Sequence, residues 1–369
     1  MIGKKQVLKM IASSVMLALL VGVVLISRKQ TLLAHKKALA FDAVINLNLP
    51  VNQFGGVISR NEQGIAHAKI EQIALNCPKT EGSSEKIVRY GQLVYYPEAQ
   101  ATILICHGFM CDKFDVGFLR HMFPQGKYNF MTFDFRGHGE NCEDQMCTFG
   151  RDESLDVITA AHFIKNHPYL KDKPIIVYGF SMGAVASIEA QARDHSLFSA
   201  MILDCPFDSS ENIIKKSLES LQFTFLGYDF TIPACSLLQK YAFHPYVQNL
   251  IKNILKTVST LDTKNVDVMM YPISPAESIK TIQVPCFFIH CKNDEKISVD
   301  AIKNIYAASG SPYKQLWLTN GRRHFDSYFY NPEKYIKEIR GFIETVVSSS
   351  RKPHKDQIVE DADELLAKI

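Results

Sequence analysis

Between about Ala68 and Ser348, short apolar runs alternate with stretches whose apolar residues recur every three or four positions. That alternation predicts strands followed by covering helices, and so a mostly parallel sheet with helices on both faces. Lys69–Leu75 and Lys86–Tyr96 read as an opening antiparallel pair, joined through Pro78 to Ser84. Ala101–Cys106, Asn129–Phe133, Pro174–Tyr178, Ala200–Leu203, Cys286–Ile289 and Lys314–Leu318 read as the strands that follow, eight in all. Helices are predicted over Ser154–Asn166, Met182–Arg193, Val299–Ala308 and Pro332–Val347. The last has Tyr335, Ile336, Ile339, Phe342, Ile343 and Val346 at helical spacing. The pattern places an α/β domain over 68–349.

Three segments break the pattern. Residues 209–275 are rich in Phe, Tyr, Leu and Ile and read as a mostly helical insertion, placed where a lid would cover the active face. Met10 to Ile26 is continuously apolar or small, with Lys4, Lys5 and Lys9 before it and Arg28, Lys29, Lys36 and Lys37 after it. Residues 1–29 are therefore expected to be an uncleaved signal anchor, a single N-terminal transmembrane helix. A cleaved signal is the rival reading, but Ala38-Leu39-Ala40 lies far beyond the apolar run, across four positive charges. Positive charge on both flanks leaves the orientation open. Residues 30–67 read as a tether. In the tail, 350–369, Ile358, Val359, Ala362, Leu365, Leu366 and Ile369 fall on one face of an amphipathic helix.

Composition narrows the function. The 369 residues are enough for one large α/β domain with appendages. A net charge of +3, with no basic stripe interleaved with aromatics, gives no reason to expect a nucleic-acid partner. Nine cysteines cannot all pair internally, and Cys106, Cys205, Cys286 and Cys291 fall where buried strand ends are expected. Cys142 and Cys147 share a polar loop, but no second Cys/His pair with zinc spacing accompanies them, so no metal site is expected.

The chemistry concentrates in Gly179-Phe180-Ser181-Met182-Gly183, a Gly-x-Ser-x-Gly between a β-branched run and a small-residue helix. Strand, tight turn and helix form the setting of a nucleophile elbow, with Ser181 presented above the sheet. A serine hydroxyl needs a base, and the base needs an acid, following the serine in the order acid then histidine. Asp294 and His324 lie in loops at the carboxyl ends of two successive predicted strands, where catalytic groups gather in open α/β sheets. Glu295 and Asp204 compete with Asp294 as the acid, whereas His290 reads as a strand-end hydrogen-bonding residue. Backbone N–H groups of Phe109, after Gly108, and of Met182 are the candidate oxyanion donors.

Together these residues resemble the α/β-hydrolase family over about Ala68 to Ser348. Asp134-Phe135-Arg136-Gly137-His138-Gly139-Glu140 looks like the Asp-x-Arg-Gly-His-Gly signature of its esterase, acylglycerol lipase, thioesterase and serine-aminopeptidase-like branch, a segment that is usually structural. Leu203–Phe207 and Ser274–Ile279 resemble segments that bracket a lid, while Asn141-Cys142 departs from the Ser common after Gly-His-Gly-x. The resemblance implies hydrolysis of an ester, thioester or amide through an acyl-enzyme, without metal or organic cofactor. The expected substrate is a small-molecule or lipid acyl compound. A serine-aminopeptidase-like peptidase and a catalytically silent interaction module are the alternatives.

Overall fold

The computed structural model describes residues 68–140, 142, 145–219, 222–225, 228–231, 241–244, 246–248, 267–348 and 355–361. The expected anchor and tether, much of the insertion and residues 362–369 lie outside these. Among the described residues no helix is long and apolar enough to cross a membrane.

A central sheet holds nine strands: β1 (Lys69–Pro78), β2 (Lys86–Tyr95), β3 (Ala101–Cys106), β4 (Tyr128–Phe133), β5 (Ile175–Phe180), β6 (Ala200–Asp204), β7 (Cys286–Cys291), β8 (Tyr313–Thr319) and β9 (Lys355–Glu360). Their order is β1-β2-β4-β3-β5-β6-β7-β8-β9. β2 pairs antiparallel with both neighbours, and every other pairing is parallel. The sheet is thus mixed and nine-stranded, which corrects the expected eight.

The extra strand comes from the tail, where a helical face was expected. β9 pairs with β8 from Tyr313↔Lys355 to Leu318↔Glu360, and Ile358 and Val359 remain exposed on it. The helix between β8 and β9 provides the crossover that parallel pairing requires. Asp361 pins the strand's end: its backbone N–H donates to the Leu318 carbonyl, and its carboxylate accepts from the Trp317 indole and from Lys334.

Two layers of helices cover the sheet. They are α1 (Glu153–Asn166), α2 (Met182–Arg193), α4 (Val299–Ala308) and α5 (Pro332–Ser348), while α3 (Ser210–Glu219) packs through Ile213 against Val185, Phe207 and Ile297. Side chains alternate along a strand, so Leu104 and Cys106 of β3 join the core under α1, α2 and α4, whereas Ile103 and Ile105 join Tyr335, Ile339, Phe342 and Ile343 of α5. β3 through β7 are buried along their whole length, which is why they read as continuous apolar runs.

The Asp134–Glu140 segment is a buried polar scaffold. Arg136 pairs with Asp156 at 2.7 Å and donates to the Pro78 and Lys79 carbonyls. Lys113 bridges Asp134 and Glu140 at 2.7 and 2.9 Å. The eight described cysteines form no disulfide with one another. The central sheet, its helices and the polar scaffold belong to the larger of two compact units. The described residues of the other include Gln222–Phe225, a strand paired with Tyr228–Thr231, and His244, stacked on Tyr246 at 5.5 Å.

Candidate active site

β5 runs two residues further than its apolar pattern predicts, so Ser181 follows directly on Phe180 and precedes the first residue of α2. Its backbone has φ 49° and ψ −115°, a strained conformation for a residue with a Cβ. The flanking glycines make that turn possible. A Cβ on Gly183 would lie 2.3 Å from the Cys106 carbonyl oxygen, and one on Gly179 would lie 2.6 Å from the Ala184 Cα. Strand and helix could not approach so closely with any larger residue. The turn is held by the Ser181 N–H, which donates to the Asp204 carbonyl at 2.8 Å.

The structure brings Ser181, His324 and Asp294 into one hydrogen-bonded line. His324 Nδ1 lies 2.6 Å from Asp294 Oδ2, and His324 Nε2 lies 2.8 Å from Ser181 Oγ. A carboxylate only accepts, so Nδ1 carries the proton and Nε2 is left to accept from the serine hydroxyl. Asp294 Oδ1 accepts from the Lys296 and Ile297 backbone N–H groups at 2.8 and 3.0 Å, which fixes the carboxylate. Burial opposes its charge, but the His324 hydrogen bond and charge, the Ile297 N–H and His290 outweigh it and hold Asp294 below the usual carboxylate range.

The competing acids lie elsewhere. Glu295 is exposed. Asp204 accepts from the Tyr335 hydroxyl at 2.6 Å, and its Oδ1 is buried without a partner. His290 is buried at the end of β7 with Nε2 3.3 Å from the Ile297 carbonyl; burial lowers it to about 4, so it is neutral.

Phe109 and Met182 flank the serine, and the backbone N–H of neither has an acceptor among the described residues. At Met182 this follows from its place at the start of α2. Phe109 owes its position to His107, a residue whose part the sequence reading missed. The Phe135 N–H donates to His107 Nε2 at 3.0 Å, so Nδ1 is the protonated nitrogen and donates to the Gly108 carbonyl at 2.7 Å. Burial drives His107 down to about 3, so the ring stays a neutral clamp on the loop.

Comparison with known proteins agrees with this architecture. The family model described as serine aminopeptidase, S33, matches residues 97–228. That match and the architecture above support an α/β-hydrolase family. The chain is 25% identical over 285 residues to YqkD of Bacillus subtilis, described as uncharacterised, covering 76% of this chain and 82% of that one. Its fold is similar to that of the Pyrococcus furiosus esterase Pf2001, with 19% identity and a TM-score of 0.55 over 76% of this chain and 93% of that chain. It is also similar to Lpx1, a peroxisomal α/β-hydrolase of Saccharomyces cerevisiae, with 13% identity and a TM-score of 0.51 over 80% and 93%. At such identities the two structures speak for the fold alone.

A cavity of about 280 Å³ opens on Ser181 and His324, at the small end of ligand pockets. Its apolar wall is Phe109, Phe149, Phe207, Ile213 and Ile297. Only Phe109 had been singled out in the sequence, because the others lie at separated positions that the fold alone brings together. Backbone strain gathers around the same place. The five described non-glycine residues with positive φ are Met110, Phe149, Ser181, Cys205 and Phe325. Cys205 Sγ lies 3.9 Å from His324 Nε2, but burial holds it well above its ordinary pKa as a neutral thiol, so it is no rival nucleophile. Among the described residues no group of three His, Cys, Asp or Glu could hold a metal ion.

Proposed function

We propose that this protein is a serine hydrolase that cleaves an acyl ester or thioester through Ser181, His324 and Asp294. The observation that carries the reading is the hydrogen-bonded line from Ser181 Oγ through His324 to Asp294, ending on a serine held in a strained turn. In this reading Ser181 Oγ attacks the acyl carbonyl while His324 Nε2 takes its proton. Asp294 keeps the ring in the right tautomer and stabilises the imidazolium. The Phe109 and Met182 N–H groups receive the oxyanion, and an interaction of that kind is worth about 10²–10³ in rate. His324 returns the proton to the leaving group, and water attacks the acyl-enzyme by the same path.

The name of the matching family model, serine aminopeptidase, favours a second reading as an amide hydrolase. Recognition of a free amine needs convergent carboxylates, whereas among the described residues lining the cavity Glu295 is the one carboxylate against two lysines. Ester or thioester hydrolysis is therefore preferred, in keeping with the esterase Pf2001 among the similar folds. The apolar run from Met10 to Ile26, between basic flanks, supports a membrane-anchored enzyme.

A fluorophosphonate probe applied to the full-length protein tests the reading. It should label the native chain and not Ser181→Ala, and that variant should lose ester hydrolysis by roughly 10⁵–10⁶-fold. Labelled protein should stay with membranes through an alkaline wash. A folded chain that takes up no probe at Ser181 would instead be a silent interaction module, and labelled protein released by the wash would remove the anchor.

A further inference from the structure

One wall of the cavity is charged. Lys216, Glu295 and Lys296 line it, beside the loop that carries Asp294. Lys216 projects from α3 one turn after Ile213, so the two share a helix face and line the same cavity. It is half-buried, and among the described residues its ammonium makes one hydrogen bond, a long 3.4 Å contact with the Asp294 carbonyl. Lys296 belongs to the turn whose N–H groups grip Asp294, so its backbone is fixed although its side chain is exposed. Among the described residues neither lysine has a carboxylate within ion-pair distance, and Glu295 next to Lys296 bridges to neither. A half-buried lysine in a largely apolar pocket, with one weak acceptor among the described residues, leaves hydrogen-bonding capacity unused.

Building on the reading of Ser181 as the nucleophile, we propose that the pocket takes an acyl substrate carrying an anionic group, a carboxylate or a phosphate, which Lys216 and Lys296 bind while the scissile carbonyl sits at Ser181. The apolar wall covers the carbon skeleton and the charged wall selects the anion. Lysine suits this role because its compact charge on a flexible stem reaches either anion without demanding a bidentate geometry. With two cations against one carboxylate, an anionic substrate gains there and a cationic one loses.

The test is a ratio: kcat/KM for mono-p-nitrophenyl succinate over that for p-nitrophenyl butyrate, a neutral ester of the same acyl length. The full-length protein should favour the half-ester by about tenfold, mainly through KM. Lys216→Met and Lys296→Met should each lower the ratio about threefold to tenfold, and Lys216→Arg should largely keep it. Lys337→Met, exposed on α5, should leave it unchanged, which separates a local site from overall charge. A partly folded variant loses both activities alike, so the ratio is protected from that artefact. Competition by free succinate and by inorganic phosphate distinguishes the two anions. Turnover of both esters without preference, or a preference that survives the double Met variant, overturns the proposal alone. Turnover of neither, with Ser181 unlabelled, overturns the hydrolase reading and the proposal together.

Discussion

Asp204 ends β6, and Asp294 lies three residues past the end of the neighbouring β7. Both are buried acids at the same sheet edge, close enough that the charge of Asp294 acts on Asp204. Asp294 receives three N–H donors, two from its own turn and one from His324. Asp204 receives one Tyr335 hydroxyl, itself 2.5 Å from the Tyr178 hydroxyl, and keeps one bare oxygen. Burial therefore dominates at Asp204 and pushes it up to about 7; Tyr335 and Cys205 oppose the rise, and Asp294 adds to it. At Asp294 the donors win over burial and the charge is kept. Two like side chains in like positions thus differ in how readily they ionise because of what is aimed at them, and only the one that stays charged throughout is hydrogen-bonded to a histidine.

The largest expected effect tests that division of labour. Asp294→Asn keeps the shape but removes the acceptor that selects the His324 tautomer, and kcat for a p-nitrophenyl ester at pH 8 should fall about 10⁴-fold. Asp204→Asn should leave kcat within a few-fold. Comparable losses in the two variants would make Asp204 part of the proton path and end the comparison.

The contrast between the two acids was only half legible in the sequence. Ser181, Asp294 and His324 stood out because strand runs and loop order mark the carboxyl edge of a parallel sheet. Asp204 competed with Asp294, and only the order along the chain, past the insertion and one loop before His324, favoured the latter. The deciding partners are far away: Tyr335 on α5 lies 131 positions along the chain, and Tyr178 faces it from β5. The same limit hid the grip of His107 on Gly108, which depends on Phe135 across the sheet. β9 was misread for another reason. Its Ile358 and Val359 stay exposed, so no buried face imprinted a strand period on the segment.

Stability against pH gives the next effect in size, with opposite signs for the two acids. Asp204 rises from an ordinary 3.8 to about 7, so the folded state holds a proton that the unfolded chain has released. Its contribution to stability falls as pH climbs from about 4 to about 7 and is level above that, by up to about 1.4 kcal/mol per pH unit. Asp294 is lowered, so its contribution is present above its unfolded value and disappears only as pH falls through its folded one. His107, at about 3, and His290, at about 4, are neutral when folded and charge on unfolding below about pH 6.5, so they favour the native state as pH rises and mask the Asp204 slope. The difference between wild type and Asp204→Asn isolates it. Urea unfolding at pH 5, 6, 7 and 8 should show the variant gaining on wild type across the series. A constant difference would mean that Asp204 is already ionised at pH 5.

The smallest effect probes the single donor. Tyr335→Phe removes the hydroxyl between Tyr178 and Asp204 without emptying the core. At pH 5 the lost bond joins neutral groups and should cost about 1 kcal/mol. At pH 8 Asp204 is ionised in the folded state, so the lost bond is charge-assisted and the cost should approach about 2 kcal/mol. In an Asp204→Asn background there is no charge to assist, and the Tyr335→Phe cost should be the same at both pH values. A pH dependence that survives in that background would place the titrating group on another side chain and detach the Tyr178–Tyr335 pair from the charge state of Asp204.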